Sequence, residues 1–135
     1  MDIVISETSG QPIYQQIYEQ ICAQILKGGL VSGECLPPIR TVAKELRISV
    51  ITVKKAWEEL ESRGFIYTMA GKGCFVADLP PRELDSKREG LIRSRMEKDA
   101  AYYRAMGLSE EAAVRMLRDC FRGDAKKGPG QNEAP

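Results

Sequence analysis

The sequence predicts a mainly α fold with one small β hairpin, followed by two further helices. Three observations support this prediction. Apolar residues recur at helical spacing before Gly64, an aromatic and β-branched run follows that glycine, and two prolines interrupt the chain at Pro80-Pro81. We therefore divide the chain into a compact domain at residues 1–79, a helical region at 80–122 and a tail at 123–135, whose Gly, Lys, Pro and polar residues predict disorder.

The composition is that of a globular protein without membrane signatures. Of the 135 residues, 43% are hydrophobic and 29% are charged, which is ordinary for a soluble domain. No apolar run reaches the roughly 18 residues of a membrane span. The N-terminus has no signal peptide pattern, so we expect a cytoplasmic protein with no membrane partner. The net charge of +1 does not by itself indicate nucleic acid, so charge must be judged locally.

Histidine is absent, which removes the commonest general base and excludes Ser-His-Asp and Cys-His catalysis. The sequence contains no P-loop and no dinucleotide fingerprint. The cysteines show no C-x-x-C spacing, so we expect buried free thiols at Cys22, Cys35, Cys74 and Cys120 rather than a metal site. The sequence thus predicts no enzyme, no metal and no cofactor, although carboxylate or lysine chemistry is a remote alternative.

The first helix is predicted by isoleucines at every fourth position from Ile13 to Ile25, which give one broad apolar face. Pro12 can occupy its first turn, and Gly28-Gly29 ends it. A short second helix follows Pro37-Pro38. Its apolar positions, at spacings of three and four, are Ile39, Val42, Ala43 and Leu46.

The third helix is predicted to begin after Ser49, a good N-cap, and to end at Gly64. Its apolar positions are Val53, Ala56, Trp57 and Leu60. Residues 65–69 then predict a strand, 70–73 a turn and 74–77 a second strand. Two short helices with a tight connection, followed by a hairpin, indicate a winged helix-turn-helix. In that fold the second helix of the pair enters the major groove of double-stranded DNA.

The first turns of the third helix are the predicted DNA-reading edge. The core positions leave exposed, on or near these turns, Val50, Ile51, Thr52, Lys54 and Lys55. Lysine can reach phosphate or guanine, threonine can donate or accept, and the aliphatic methyl groups can contact thymine. The helix N-terminus also directs backbone N–H groups at phosphate. The alternative is a solvated helix surface, but two exposed apolar residues beside two lysines are unusual there.

Local charge and the hairpin tip extend this edge. Seven basic residues lie between Arg40 and Lys72, against four acids, and three of the acids fall on the later turns of the third helix. The N-terminal end of that helix is therefore its basic end. At the hairpin tip, Gly71, Lys72 and Gly73 could enter a minor groove, although glycines also suit a tight turn that has no functional demand.

The region after Pro80 contains two amphipathic stretches, at 82–106 and 109–122, with Ser109 as the N-cap of the second. Neither apolar stripe can be buried within so small a region. We therefore expect a second copy of the chain to cover both stripes in a twofold homodimer. The predicted dimerisation residues are Leu84, Leu91, Ile92, Met96, Tyr103, Met116, Leu117 and Phe121.

Four motifs resemble the DNA-binding domain of the GntR family of bacterial regulators, over about residues 11–78. They are Pro12-Ile13-Tyr14-Gln15-Gln16-Ile17, Leu36-Pro37-Pro38-Ile39-Arg40, Ser49-Val50-Ile51-Thr52-Val53-Lys54 and Gly71-Lys72-Gly73-Cys74-Phe75-Val76. The resemblance implies a phosphate or base clamp at the start of the second helix, further contacts from the third helix, and a wing tip in the minor groove. The residues implied in these roles are Arg40, Ser49, Thr52, Lys54, Gly71 and Lys72.

The sequence departs from the family pattern at two positions, and its C-terminal region is short. The family usually has serine or alanine at the place of Pro38 and arginine at the place of Val50, so one guanine or phosphate contact is missing. Only 55 residues follow Pro80, which is too few for the large C-terminal domain of most members. The short tail is similar to the YtrA-like branch, which dimerises through a helical pair. The resemblance implies a homodimeric repressor that binds an inverted-repeat operator.

Two alternatives stay open on the sequence alone. A winged-helix protein-interaction module would use the same scaffold without touching DNA, because a fold does not fix a function. Binding to duplex DNA that weakens steeply as salt rises would separate the two readings. A small-molecule effector could also bind between the tail and the wing, although no residue of the sequence identifies such a ligand.

Overall fold

The computed structural model describes residues 1–123 and confirms a mainly α fold with a small two-stranded antiparallel sheet. The elements in chain order are α1 (Ile13–Leu26), α2 (Ile39–Leu46), α3 (Val50–Ser62), β1 (Ile66–Met69), β2 (Gly73–Val76), α4 (Pro81–Ala105) and α5 (Glu110–Arg122). This order is that of a winged helix-turn-helix followed by two helices. The tail predicted to be disordered lies outside the described residues from position 124 onward, and Gly123 forms the left-handed cap of α5.

The chain forms two compact units that divide within α4. The first unit runs from Met1 to Arg88, and the second begins at Glu89. The boundary expected after residue 79 lies at Pro80, directly before α4. The first unit extends further because Lys87 and Arg88 hydrogen-bond to backbone carbonyls of its other helices. The first residues of α4 therefore belong with the winged helix.

The core of the first unit joins α1, α3 and the residues that lead into the hairpin. Ile17, Val53 and Leu60 have no exposed surface, and all three occupy apolar positions predicted from helical spacing. The ring of Tyr18 packs edge-on against that of Phe65, with centroids 6.4 Å apart. Full burial of a large apolar side chain contributes about 1.5–3 kcal/mol. These contacts hold α3 firmly against α1.

The four cysteines are free, but only Cys22 is buried, so the expectation of buried thiols is wrong for Cys35 and Cys120. Cys35 lies on an edge segment beside the hairpin, and Cys120 lies on α5, in which no residue is buried. Burial raises the pKa of the Cys22 thiol to about 12, because the thiolate would lose its hydration. Cys22 is therefore protonated at neutral pH and serves as an apolar core residue.

Three glutamines on one face of α1 bind the extended N-terminal segment, and we call this arrangement the glutamine ladder. The rungs are Gln16 with Ser6, Gln20 with Val4, and Gln24 with Asp2. In the first two rungs the side-chain amide both accepts from the backbone N–H and donates to the backbone carbonyl, at 2.7–2.9 Å. The ladder satisfies backbone groups that would otherwise need a neighbouring strand. Pro12 itself precedes α1 as its N-cap instead of lying in the first turn.

The connection between α2 and α3 turns through a left-handed residue that the sequence did not indicate. Arg47, the C-cap of α2, has φ 58°, and it is the one described non-glycine residue with positive φ. The Ile48 N–H donates to the Ala43 carbonyl at 3.0 Å, which closes the last turn of α2. This tight turn lets Ser49 cap α3 within two residues, so α2 and α3 pack as the helix-turn-helix pair.

The hairpin carries a third extended segment on the side of β2. Cys35 forms an isolated bridge with Phe75, the Leu36 N–H donates to the Cys74 carbonyl at 2.8 Å, and the Gly33 N–H donates to the Val76 carbonyl at 2.9 Å. The turn occupies residues 70–72, because Gly73 already pairs with Met69. The connection between α1 and α2 thus braces the base of the wing.

The helices α4 and α5 contain no buried residue. Ser109 caps α5 as predicted, its hydroxyl accepting from the Ala112 N–H at 3.1 Å. Large apolar side chains of both helices are exposed, among them Ile92 (52%), Met96 (55%) and Phe121 (85%). These are the helices on which the sequence predicts the apolar stripes of a dimer interface.

Candidate nucleic-acid interface

The N-terminus of α3 is fixed by a hydroxyl pair. The Ser49 hydroxyl accepts from the Thr52 N–H at 3.1 Å, and the two hydroxyl oxygens of Ser49 and Thr52 lie 2.7 Å apart. This geometry satisfies one of the backbone N–H groups that a helix leaves free at its start. The remaining free N–H groups and the positive end of the helix dipole favour a phosphate there.

Replacing the cap by alanine tests how firmly this edge is held. We expect Ser49→Ala to lower the free energy of unfolding by about 1 kcal/mol, since the Thr52 N–H loses its acceptor. Urea denaturation followed by circular dichroism measures the change. Ser62→Ala is the matched control, because the Ser62 hydroxyl donates only to the Glu59 carbonyl at the other end of α3. Equal losses in the two variants would contradict the capping role.

The residues after the cap present apolar and basic side chains to solvent. Val50 is 36% exposed and Ile51 is 77% exposed, although both are apolar. Lys54, one turn after Val50, is exposed and makes no ion pair or ring contact with the residues that the structure describes. Thr52 is half-buried. An exposed isoleucine next to an unpaired lysine is suited to a groove that offers both methyl groups and acceptors.

Lys55 occupies a different position from Lys54. Its Nζ lies 4.1 Å from the ring centroid of Tyr14 on α1, which is a cation–π contact. Tyr14 was not among the candidate site residues, because a contact between two helices leaves no signal in the spacing of either. Lys55 therefore links α1 to the edge of α3.

Two of the three acidic residues of α3 accept hydrogen bonds from side chains that lie away from the helix start. Glu59 accepts from Arg63 at 3.1 Å, and Glu61 accepts from the Thr68 hydroxyl at 3.1 Å on β1. Both carboxylates lie on the last turns of the helix. The charge of α3 is therefore divided as predicted, with lysines near its N-terminus and carboxylates near its C-terminus.

The start of α2 and the wing tip supply the other predicted contacts. Arg40 is exposed at the second position of α2. At the tip, Gly71 has φ 75° and Gly73 has φ 115°, conformations that side chains disfavour, and the Lys72 N–H closes the turn on the Met69 carbonyl at 2.9 Å. Lys72 is exposed. The glycines are required by the turn itself, whatever the tip binds.

The wing also carries a stacked aromatic pair. The rings of Tyr67 and Phe75 lie 5.7 Å apart on paired strand positions, and Tyr67 is 41% exposed. Within residues 1–123 no cluster of cysteine and carboxylate side chains is arranged to hold a metal ion. None of the helices described is long and apolar enough to cross a membrane.

The fold and the basic edge of α3 define the class of this protein, a winged helix-turn-helix transcription regulator. The model of the bacterial regulatory proteins of the gntR family matches residues 13–76. The HTH-type transcriptional repressor YtrA of Bacillus subtilis (strain 168) is 33% identical over 103 residues, which cover 74% of this chain and 79% of that protein. The chain belongs to the GntR family, and its likeness to YtrA supports the YtrA-like branch.

Two solved structures and a second relative agree with this assignment. YtrA from Sulfolobus acidocaldarius, a GntR-family transcription factor, has a TM-score of 0.58 at 33% identity, over 73% of this chain and 97% of that one. The DNA-binding domain of AraR in complex with operator ORX1 has a TM-score of 0.51 at 26% identity, over 57% and 96%. The repressor STM4068 of Salmonella typhimurium LT2 is 38% identical over 76 residues, but these cover only 32% of its length and 56% of this chain.

Proposed function

We propose that this protein binds an inverted-repeat DNA operator as a homodimer and represses transcription by occupying a promoter. The observation that carries the proposal is the N-terminal edge of α3, where a capped helix start, exposed apolar groups and an unpaired lysine face solvent together. The operator complex of the similar AraR domain supports the same use of the fold. Because bacterial promoters lie in the cytoplasm, the protein acts there.

Each element of the edge receives a role in this proposal. Lys54 and Arg40 bind phosphate or guanine, and Ile51 and Val50 contact thymine methyl groups. Ser49 and Thr52 order the helix start for a phosphate, and Lys55 supports the edge from its place on Tyr14. The wing tip places Gly71, Lys72 and Gly73 in the minor groove. Because valine stands at position 50 where the family usually has arginine, more of the base readout falls on Arg40, Lys54 and the wing than in those family members.

The homodimer is supported by the exposed apolar side chains of α4 and α5. A second copy would bury them, since a twofold axis presents each stripe to its equivalent. The exposed residues proposed for this interface are Ile92, Met96, Tyr103, Met116, Leu117 and Phe121, and the half-buried Leu84 and Leu91 are proposed with them. Two recognition helices related by such an axis would reach half-sites about 10 base pairs apart, or a multiple of that distance.

Selection of bound sequences from a random duplex library tests the proposal. We expect an inverted repeat to be enriched. We also expect the logarithm of its affinity to fall linearly with the logarithm of salt concentration, with a slope of about −0.9 for each phosphate contact. A duplex of scrambled sequence is the control for non-specific binding. No enriched sequence, together with no salt-dependent binding to duplex, would refute the proposal and would favour a winged helix that binds protein instead.

A further inference from the structure

The first turns of α4 supply a cation to the end of α3. The Lys87 ammonium donates to the carbonyl of Arg63, the C-cap of α3, at 2.7 Å. It also lies 5.2 Å from the ring centroid of Phe65, which is buried in the core. The carbonyls at a helix C-terminus lack partners within the helix and carry the negative end of its dipole. Lys87 therefore satisfies the end of the proposed recognition helix.

The next residue of α4 does the same for α1. The Arg88 guanidinium donates to the carbonyl of Leu26, the last residue of α1, at 3.2 Å. It also donates to the Asp85 carboxylate at 2.7 Å, one turn earlier in α4, which orients the guanidinium. Consecutive residues of a helix point about 100° apart. Lys87 and Arg88 thus reach the ends of two different helices from one turn of α4.

We propose that Lys87 and Arg88 are positioning residues that set the half-site spacing the dimer accepts on DNA. Two anchors that diverge around the axis of α4 fix the tilt and the rotation of its first turns against the C-terminal ends of α1 and α3, all within the unit Met1–Arg88. The same helix continues to Ala105 and carries apolar residues of the proposed dimer interface. The inference rests on the proposed function, because spacing has meaning only for a dimer on two half-sites.

The test uses the full chain and a set of duplexes that share the selected half-site. The two half-sites stand at the selected spacing, or closer or farther by one and two base pairs, and one duplex carries a single half-site. The variant is Lys87→Ala/Arg88→Ala. The matched control is Arg93→Ala/Lys98→Ala, which removes the same number of charges from α4. Arg93 pairs only within that helix, with Glu89 at 3.2 Å, and Lys98 is exposed.

For the wild type and the control we expect affinity to fall about tenfold or more at the wrong spacings, because the second half-site is lost. For Lys87→Ala/Arg88→Ala we expect less than about threefold variation across spacings, with binding to the single half-site unchanged within about twofold. Lys87→Arg alone keeps a donor for the Arg63 carbonyl and leaves Arg88 in place, so it should keep the sharp spacing profile of the wild type.

Three results would overturn the inference. They are an unchanged spacing profile in the alanine variant, a wild type that accepts all spacings equally, and a loss of single half-site binding in the variant, which would mean that the two residues only stabilise the winged helix. Sedimentation of each variant establishes that it is dimeric. A wild type that binds no duplex at all would instead refute the proposed function, so the two failures are distinguishable.

Discussion

Replacing Met116 and Phe121 together by glutamine is expected to yield a monomer that binds the operator at least about a hundredfold more weakly than the wild type does. The two side chains are 56% and 85% exposed on α5, a helix with no buried residue. A dimer interface would bury this apolar area, at about 25 cal/mol for each Å² removed from water. Without the dimer, each half-site is bound independently, and the gain from linking two binding events is lost.

Sedimentation equilibrium measures the oligomeric state, and titration of the operator measures the affinity. Arg118→Gln is the matched control, since Arg118 is an exposed polar residue of the same helix. Binding to a single half-site should be the same in the wild type and in the double variant, because the DNA-reading edge lies in α3. A double variant that remains a dimer would contradict the proposed role of α5.

Replacing Lys54 by alanine is expected to weaken operator binding by about 1–3 kcal/mol for each protomer, if its ammonium reads a guanine edge. If it binds phosphate instead, the loss should be similar for all sequences and the salt slope should fall by about one per protomer. Lys54 is exposed and has no ion pair among the described residues. The fold should therefore be unaffected, and the dimer should remain intact.

Lys27→Ala is the matched control for Lys54→Ala. Lys27 is an exposed lysine that follows the last residue of α1. Arg88 and Lys87 bring that end of α1 together with the C-terminal end of α3, away from the helix start that carries Lys54. Fluorescence anisotropy with labelled operator gives both affinities at several salt concentrations. Equal losses for Lys27→Ala and Lys54→Ala would contradict a reading edge at the start of α3.

The helices of the first unit could be predicted because their apolar spacing and end signals are local. Ser49 and Gly64 terminate α3 as the sequence indicated. The strands begin and end within one residue of their predicted limits. Phe65 and Ala77 lie outside them, and Gly73 pairs with Met69 instead of belonging to the turn. The candidate DNA contacts share this local origin, because a helix start and a turn tip are both defined by adjacent residues.

The contacts between distant polar side chains and backbone could not be predicted. The Lys87 and Arg88 contacts, like the bridge of Cys35 to Phe75, join residues far apart in sequence and follow no period. Both lysine and arginine also occur commonly on exposed helix faces with no such contact. The sequence therefore assigned the proposed DNA-reading residues to helices and a turn but did not reveal how those elements are held to one another.

The glutamine ladder depends on a numerical match between two repeats. Four residues of helix advance about 6.0 Å, and two residues of extended chain advance about 6.6 Å, so successive glutamines of α1 meet alternate peptide groups of residues 2–6. The mismatch of roughly 0.6 Å per step limits such a ladder to a few rungs. Inserting a single residue between Ser6 and Gln16 would be absorbed by the intervening loop, whereas inserting one within residues 2–6 would misalign the rungs beyond it. The side chains of a helix can thus bind alternate peptide groups of an extended segment, as the backbone of a neighbouring strand does.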